Sequence, residues 1–221
     1  MSAEMRVKCP YLLGGPFRAR AGSYLIFPDA WPSFSGRVEP MHDEPLPSGD
    51  IAGILYGEHL DVDAVLVSVT DLLRSKGIRV AGLLQRFGAP TPSGKRSMYV
   101  EDIASGERVR LDLPRGSGAS GCSLDPNALA KAACLLRGAI RSRPDVLIVN
   151  RFGQQEAEGH GMRPELAEAV CAGLPTLVAV SQSLLSEWER FVGEPGRILP
   201  AKPSAIVSWV CKRIPVRLPG G

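Results

Sequence analysis

A short run of apolar residues in the middle of the chain limits most strongly what the chain can fold into. Val146–Val149 are four consecutive apolar residues, and polar residues bound the run on both sides. A strand with one solvated face alternates apolar and polar side chains, whereas a strand covered on both faces is apolar throughout. The run therefore predicts a fully buried strand of a parallel sheet.

Further apolar strands alternate with helical patterns along the chain. IAGILY at 51–56 and RVAGLLQ at 79–85 flank a helical segment, which makes a βαβ unit. Asp125 and Pro126 are typical of the first residues of a helix, and PTLVAVS at 175–181 predicts another buried strand. The predicted fold class is α/β, with a mostly parallel sheet and helices on both faces.

Two segments depart from this alternation. Residues 96–113, RSMYVEDIASGERVRLDL, predict two strands around a glycine-containing turn, hence a β-hairpin inserted at one edge of the sheet. Residues 1–49 are rich in Pro, Gly and Ser, which predicts a poorly structured extension, with an arm that wraps the domain or a partner as the alternative. The predicted organisation is this extension, one α/β domain at 50–215 and a tail at 216–221.

Composition and charge narrow the classes of partner and compartment. The formal charge is +3 and the basic residues are scattered, so neither nucleic acid nor an anionic membrane is expected as a partner. Without a span of about 20 apolar residues or a signal pattern, a cytoplasmic location is expected. The five cysteines contain no CxxC pair, so no metal site is predicted and the thiols are expected to be reduced. Cys134 and Cys171 fall in apolar helical patterns and are expected in the core.

Ligands of an open parallel sheet bind beyond the carboxyl ends of its strands, which directs attention to four loops. The first, YGEHLDVD at 56–63, lacks the lysine and hydroxyl residue of a phosphate-binding loop and carries three acids. Asp61 or Asp63 is expected to cap the next helix, and an acidic pocket for a cation or an amine-bearing ligand is the alternative. The candidate ligand-binding residues in this loop are Gly57, Glu58, Asp61 and Asp63.

The second and third loops follow the second strand and the hairpin. The second, at 85–96, contributes Arg86 as a candidate. The third, RGSGASGC at 115–122, leads into a helix, so its main chain can approach an anion, although a plain flexible connection explains it as well. Cys122 is a candidate catalytic thiol next to a basic residue, with burial as a small apolar residue as the alternative. The candidate ligand-binding residues of the third loop are Arg115, Gly116, Gly118 and Gly121.

The fourth loop, NRFGQQEAEGHGMR at 150–163, concentrates polar and charged residues directly after the buried strand. A long polar loop at the carboxyl end of a strand is often functional, and a solvated surface loop is the alternative. Glu156 is a candidate general base. The candidate ligand-binding residues of this loop are Asn150, Arg151, Phe152, Gly153, Gln155, Glu156 and Gly159.

Four motifs in this order resemble the small P-loop nucleoside-triphosphatase family first known from thermophiles. They are VAGLLQR at 80–86, VEDIASGE at 100–107, GASGCSLDPNAL at 118–129 and DVLIVNRFGQQE at 145–156. The resemblance covers about residues 51–193 and implies a P-loop-like fold. The family's phosphate lysine and hydroxyl have no counterpart between Gly57 and Ala64, and its strand-end acidic pair is replaced by Asn150 and Arg151.

Two longer strings resemble a bacterial family classified as a domain of unknown function, DUF2478. They are RGSGASGCSLD at 115–125 and DVLIVNRFGQQEAEGHG at 145–161. This closer resemblance implies a degenerate P-loop-like fold without an established activity, and an association with molybdenum uptake.

The first functional hypothesis is a non-hydrolytic ligand-binding or regulatory protein. Its ligand would be a nucleotide without magnesium, or a small oxyanion such as molybdate, because the groups that stabilise phosphoryl transfer are missing. Arg115 and the amides of the glycine-rich loop would take the anion. Asn150, Arg151, Gln155 and Glu156 would fix its orientation.

Two other hypotheses stay open at this point. One is an enzyme, either a residual nucleoside triphosphatase or a transferase that uses Glu156 and Cys122. The other is an interaction module whose N-terminal arm docks a partner. The sequence leaves the cofactor and the oligomeric state undefined, with a homo-oligomer as one outcome.

Overall fold

A seven-stranded sheet with helices packed on it forms the part of the chain that the computed structural model describes, residues 50–90, 96–112, 124–193 and 197–214. The strands are β1 (Ile51–Tyr56), β2 (Val80–Pro90), β3 (Arg96–Asp102), β4 (Arg108–Arg110), β5 (Val146–Phe152), β6 (Thr176–Ser181) and β7 (Arg197–Pro200). The α-helices are α1 (Val62–Ser75), α2 (Pro126–Arg141), α3 (Gln154–Ala157), α4 (Arg163–Cys171), α5 (Leu185–Val192) and α6 (Pro203–Cys211). A 3₁₀ turn at Gln182–Leu184 joins β6 to α5.

The strand order is β4-β3-β2-β5-β6-β1-β7. Five neighbouring strands from β2 to β7 are parallel, while β3 and β4 are antiparallel additions at one edge. β6 lies between β1 and β5, so the first strand and the central apolar strand are separated by one strand. The predicted α/β class and the edge hairpin are confirmed.

Helices cover both faces of this sheet. Successive side chains of a strand point to opposite faces. On one face, Ile54 packs in a buried cluster with Leu66 of α1 and Ile206 of α6. On the other face, Gly53 leaves room for Trp188 of α5, whose indole nitrogen would lie 2.8 Å from a Cβ at that position.

The predicted helix starts are confirmed in atomic detail. Oδ1 of Asp61 accepts a hydrogen bond from the main-chain N–H of Ala64 at 3.0 Å, which caps α1. Oδ1 of Asp125 accepts one from Asn127 at 2.9 Å, and Pro126 is the first residue of α2. These caps satisfy donors that a helix leaves free at its start.

Two elements were not predicted. β7 is only four residues long and contains both arginine and proline, so its sequence has no strand pattern, and its pairing with β1 defines it. The predicted long polar loop after Val149 is more ordered than expected, because β5 continues to Phe152 and α3 follows at once.

The cysteines require two corrections. Cys134 is exposed on the outer side of α2, so the expected core position is wrong; its sulfur accepts a hydrogen bond from Arg137 at 3.5 Å. Cys171, at the end of α4, is half-buried and disulfide-bonded, so the expectation of reduced thiols throughout is wrong. Spacing along the chain does not reveal which thiols come together in space. Cys134 and Cys211 are free.

Several predicted features lie outside the described residues. They are the extension at 1–49, the tail at 216–221, and the whole glycine-rich loop with Arg115, Gly116, Gly118, Gly121 and Cys122. These stay predictions.

Candidate functional site

The loops at the carboxyl ends of β1, β5 and β6 form the candidate site. These three strands are parallel neighbours, so their carboxyl ends meet at one edge of the sheet. This is the edge at which ligands of open α/β sheets bind. The segment 57–61 follows β1, and the segment 153–162 follows β5.

A surface cavity of about 810 Å³ lies between the loop after β1 and the turn after β6. Its lining residues are Gly57, Glu58, His59, Leu60, Ser181, Gln182 and Ser183. A Cβ at Gly57 would stand 3.2 Å from the side-chain oxygen of Gln182, so the two loops approach closely there. Leu60 exposes 42% of its surface and gives the cavity an apolar side. The cavity offers both hydrogen-bonding and apolar contacts to a small ligand.

An irregularity in β5 aims two of the predicted residues toward α1. Val149 pairs with Val178, and Phe152 pairs with Val180, so three steps along β5 match two steps along β6. Such a bulge changes which way the following side chains point. The peptide bond between Asn150 and Arg151 is cis.

Asp63, in the first turn of α1, is the centre of a polar cluster. Its Oδ1 accepts a hydrogen bond from Nδ2 of Asn150 at 2.6 Å and one from Nη2 of Arg151 at 3.0 Å. Asn150 is buried, and its Oδ1 has no hydrogen-bond partner among the described residues. The structure therefore brings together the predicted residues Asp63, Asn150 and Arg151, which are far apart in sequence.

Tyr56 holds the other side of the Arg151 guanidinium. Nη1 of Arg151 donates to the Tyr56 hydroxyl at 2.8 Å, and the guanidinium carbon lies 5.3 Å from the centre of the phenol ring. Burial raises the pKa of the Tyr56 phenol, while the positive charge of Arg151 acts in the opposite direction. The neutral phenol is thus a hydrogen-bond partner and a stacking surface for the arginine.

The loop after β1 can be aligned with the motif of a phosphate-binding loop. When G-x-x-x-x-G-K-[ST] is placed on Gly57, the second glycine, the lysine and the hydroxyl residue fall on Val62, Asp63 and Ala64. α1 begins at Val62, where the helix of such a loop begins. On this spacing an acid, paired with Arg151, stands at the lysine position.

Glu156 closes the loop after β5. Its two carboxylate oxygens accept main-chain N–H groups of Gly153 and Met162, each at 2.9 Å. The side chain is buried, with 5% of its surface exposed. Both oxygens are thus occupied within the loop, an arrangement that supports a structural role.

Phe152 lies in the core. It is fully buried and packs edge-on against Trp188, with ring centres 5.4 Å apart, and stacks on Phe191 at 5.7 Å. Its side chain anchors the end of β5 to α5 and makes no wall of the cavity.

The remaining predicted residues lie in other parts of the loops and on the hairpin side of the sheet. Glu58 and Asp61 are exposed, and Asp61 serves as the α1 cap. Arg86 forms an ion pair with Glu101 of β3 at 2.9 Å, on the hairpin side of the sheet. Gln155 is half-buried, and Gly159, with φ of 90°, turns the chain after α3.

Sequence reasoning missed Tyr56 and the turn after β6. Tyr56 begins the first loop considered, at 56–63, but was not among the candidate residues of that loop. Ser181–Ser183 lie at the end of a predicted strand and directly after it, so the carboxyl-end rule applied to that strand as well would have included them.

Fold and site together define an α/β protein with an ion pair between Asp63 and Arg151 at the carboxyl ends of its parallel strands. The chain belongs to the family described as "Protein of unknown function (DUF2478)", whose model matches residues 51–209. The resemblance identified from the motifs is thereby confirmed.

Three known proteins are similar to the chain. The molybdenum import ATP-binding protein ModC 2 of Bradyrhizobium diazoefficiens is 35% identical over 159 residues, which make up 72% of this chain but only 18% of that protein. A human cancer-related nucleoside triphosphatase aligns with a TM-score of 0.48 at 16% identity, over 68% of this chain and 86% of the other. THEP1 from the hyperthermophile Aquifex aeolicus aligns with a TM-score of 0.46 at 12% identity, over 73% and 94%.

No helix in the described part of the chain combines the length and hydrophobicity needed to cross a bilayer. Among the same residues, no group of three or more His, Cys, Asp or Glu side chains is placed to hold a metal ion. The cytoplasmic location and the absence of a nucleic-acid partner stay predictions.

Proposed function

We propose that the chain binds a nucleotide or a small oxyanion at the carboxyl edge of β1, β5 and β6 without hydrolysing it. The observation that carries this proposal is the ion pair between Asp63 and Arg151, whose charged atoms are 3.0 Å apart. It occupies the positions from which a hydrolase contacts phosphate and magnesium.

Electrostatics argue against magnesium-triphosphate chemistry at these positions. Phosphoryl transfer relies on a lysine and on magnesium held by oxygen ligands, above all carboxylates. Asp63 places negative charge where the lysine would neutralise phosphate, and Arg151 places positive charge beside the metal position. Like charges about 4 Å apart repel by about 4 kcal/mol at an effective dielectric constant of about 20, so neither magnesium nor a triphosphate gains there what it gains in a hydrolase.

Three observations support binding at this edge. The sheet is open and mostly parallel, and a cavity of about 810 Å³ opens next to the loop after β1. Asn150 is buried with an oxygen that has no hydrogen-bond partner among the described residues, and buried polar atoms normally have partners. The similar ModC 2 protein is named for ATP binding and molybdenum import, which supports a nucleotide or molybdate as the ligand.

A thermal-unfolding screen tests the proposal. The purified chain is heated with ATP, GTP, ADP, molybdate, tungstate and sulfate, each with and without magnesium, and phosphate release is measured in parallel. A bound ligand raises the unfolding temperature by mass action, and we expect such a rise without phosphate release.

Two variants test whether the ligand-induced rise in unfolding temperature depends on Arg151. Arg151→Gln is expected to remove the ligand-induced rise, whereas Arg108→Gln, on the hairpin at the other edge of the sheet, is expected to keep it. Steady phosphate release by the wild-type chain would favour the enzyme hypothesis instead. The absence of a shift with every compound would overturn ligand binding and favour an interaction module.

A further inference from the structure

Each terminal nitrogen of Arg151 donates one hydrogen bond within the protein. Nη2 donates to Asp63 and Nη1 donates to the Tyr56 hydroxyl, at 3.0 and 2.8 Å. The Arg151 side chain nevertheless keeps 29% of its surface exposed, and Asp63 keeps 17%. The arginine is therefore held in place but remains within reach of a solute.

The Asp63 carboxylate binds the Arg151 guanidinium in the way that an anionic ligand would. One of its oxygens receives two donors from β5, the amide of Asn150 and the guanidinium of Arg151. Arginine and amide donors converging on one anionic oxygen form an arrangement typical of oxyanion recognition. Nε of Arg151 and Oδ1 of Asn150 are buried and lack partners among the described residues, so the cluster has further hydrogen-bonding capacity.

We propose that Asp63 is an internal competitor for the ligand: its carboxylate occupies Arg151 in the free protein, and a bound oxyanion takes its place. This inference rests on the proposed function, because it describes the regulation of the same site. It identifies Arg151 as the residue that binds the anion and Asp63 as the residue that limits the affinity. Tyr56 keeps the guanidinium at the edge of the sheet while the partner changes.

Displacing the Asp63 carboxylate from Arg151 is expected to cost little free energy. Ion pairs that remain partly exposed contribute little to stability, because water competes for both charges. Removing the charge of Asp63 is therefore expected to tighten binding of a small oxyanion by roughly two- to fivefold.

Calorimetric titration with inorganic pyrophosphate and with molybdate, without magnesium, tests the inference. The proteins are the wild type, Asp63→Asn, Arg151→Gln, the double variant of both positions, and Asp71→Asn. We expect Asp63→Asn to bind tighter than the wild type, Arg151→Gln to lose binding, and the double variant to bind as weakly as Arg151→Gln. Asp71 is an exposed acid further along the same helix, so Asp71→Asn controls for a general loss of negative charge.

The outcomes separate this inference from the proposed function. If the wild type binds and Asp63→Asn binds no tighter, or no tighter than Asp71→Asn, the competitor role is overturned while ligand binding stands. If no protein in the series binds either anion, the competitor role is overturned, and if the thermal-unfolding screen also shows no shift with any nucleotide, the proposed function is overturned as well. If Asp63→Asn fails to fold, Asp63→Ser replaces it, because a neutral side chain there also leaves the Arg151 guanidinium without its carboxylate and must tighten binding too.

Discussion

Gly161 packs against the carboxylate of Glu156 so closely that a Cβ at position 161 would overlap Oε1 and the carboxyl carbon. Gly161 also has φ of 62°, in the left-handed region that favours glycine. The same Oε1 accepts the main-chain N–H of Met162. The loop after β5 therefore depends on a buried acid and on a neighbour without a side chain.

Gly161→Ala is expected to destabilise the protein more than Gly77→Ala. Gly77 has φ of 74° with nothing within 4 Å of an added Cβ, so alanine there costs only the backbone strain of about 1–2 kcal/mol. At Gly161 the same strain is joined by the displacement of Glu156, which adds about 1–3 kcal/mol for lost hydrogen bonds of buried groups. Urea unfolding of both variants measures the difference. Equal losses would show that the contact with Glu156 is unimportant.

Glu156→Gln is expected to lower the free energy of unfolding by about 1–3 kcal/mol, because an amide has one accepting oxygen for two N–H donors. Glu158→Gln is the matched control. Glu158 lies exposed two residues along, and accepts a hydrogen bond from Gln154 at 2.8 Å. Its replacement is expected to change stability by less than about 0.5 kcal/mol. Unchanged stability of Glu156→Gln would argue against the structural role of this carboxylate.

The fold was predictable because its signals are local. Val146–Val149 are apolar on both faces, and the caps at Asp61 and Asp125 are set by residues within one helical turn. β7 could not be predicted, because a four-residue strand with proline gains its structure from pairing with β1. Tertiary context decides such elements, and local propensity does not.

The site was predictable only in part, for a related reason. The carboxyl-end rule placed Asp63, Asn150 and Arg151 on the same edge, but it could not show that Asp63 and Arg151 would bind each other. The direction of Arg151 depends on the irregular pairing of β5 with β6, and that irregularity leaves no mark in the sequence. Phe152, at the end of this irregular stretch, is buried in the core, although the sequence made it a ligand-binding candidate.

Phe152→Ala is expected to cost about 3–5 kcal/mol in the free energy of unfolding, because it removes a ring that packs on both Trp188 and Phe191. Phe87→Ala is the control, since Phe87 exposes 43% of its surface on β2. Its replacement is expected to cost much less, about 1 kcal/mol or below. Chemical denaturation of the two variants checks this contrast. Similar losses would contradict the assignment of Phe152 to the core.

Glu165→Gln is expected to change how stability depends on pH. Burial raises the pKa of the Glu165 carboxyl, and the guanidinium of Arg137, 2.6 Å away, acts in the opposite direction. The folded state therefore holds this proton more firmly than the unfolded chain. Its stabilising contribution is fully present below the ordinary pKa of a glutamate and is lost as the pH rises through the folded-state pKa. The variant should lack this loss when urea unfolding is measured from acidic to neutral pH.

Glu101→Gln is expected to change the pH dependence in the opposite sense. Hydrogen bonds from Arg86, and further from Arg108, lower the pKa of the Glu101 carboxyl. Its contribution is present above the ordinary pKa and is lost as the pH falls through the folded-state pKa. The wild type should therefore lose stability in acid that the variant does not lose. Parallel pH profiles of wild type and variant would contradict the assignment.

Calorimetric titration of ATP into the wild-type chain, with and without excess magnesium, tests the proposed function most directly. Because the Arg151 cation would repel a magnesium ion bound nearby, we predict that magnesium does not tighten ATP binding and that no phosphate is released during the titration. A dissociation constant that falls tenfold or more when magnesium is added, together with phosphate release, would contradict the account.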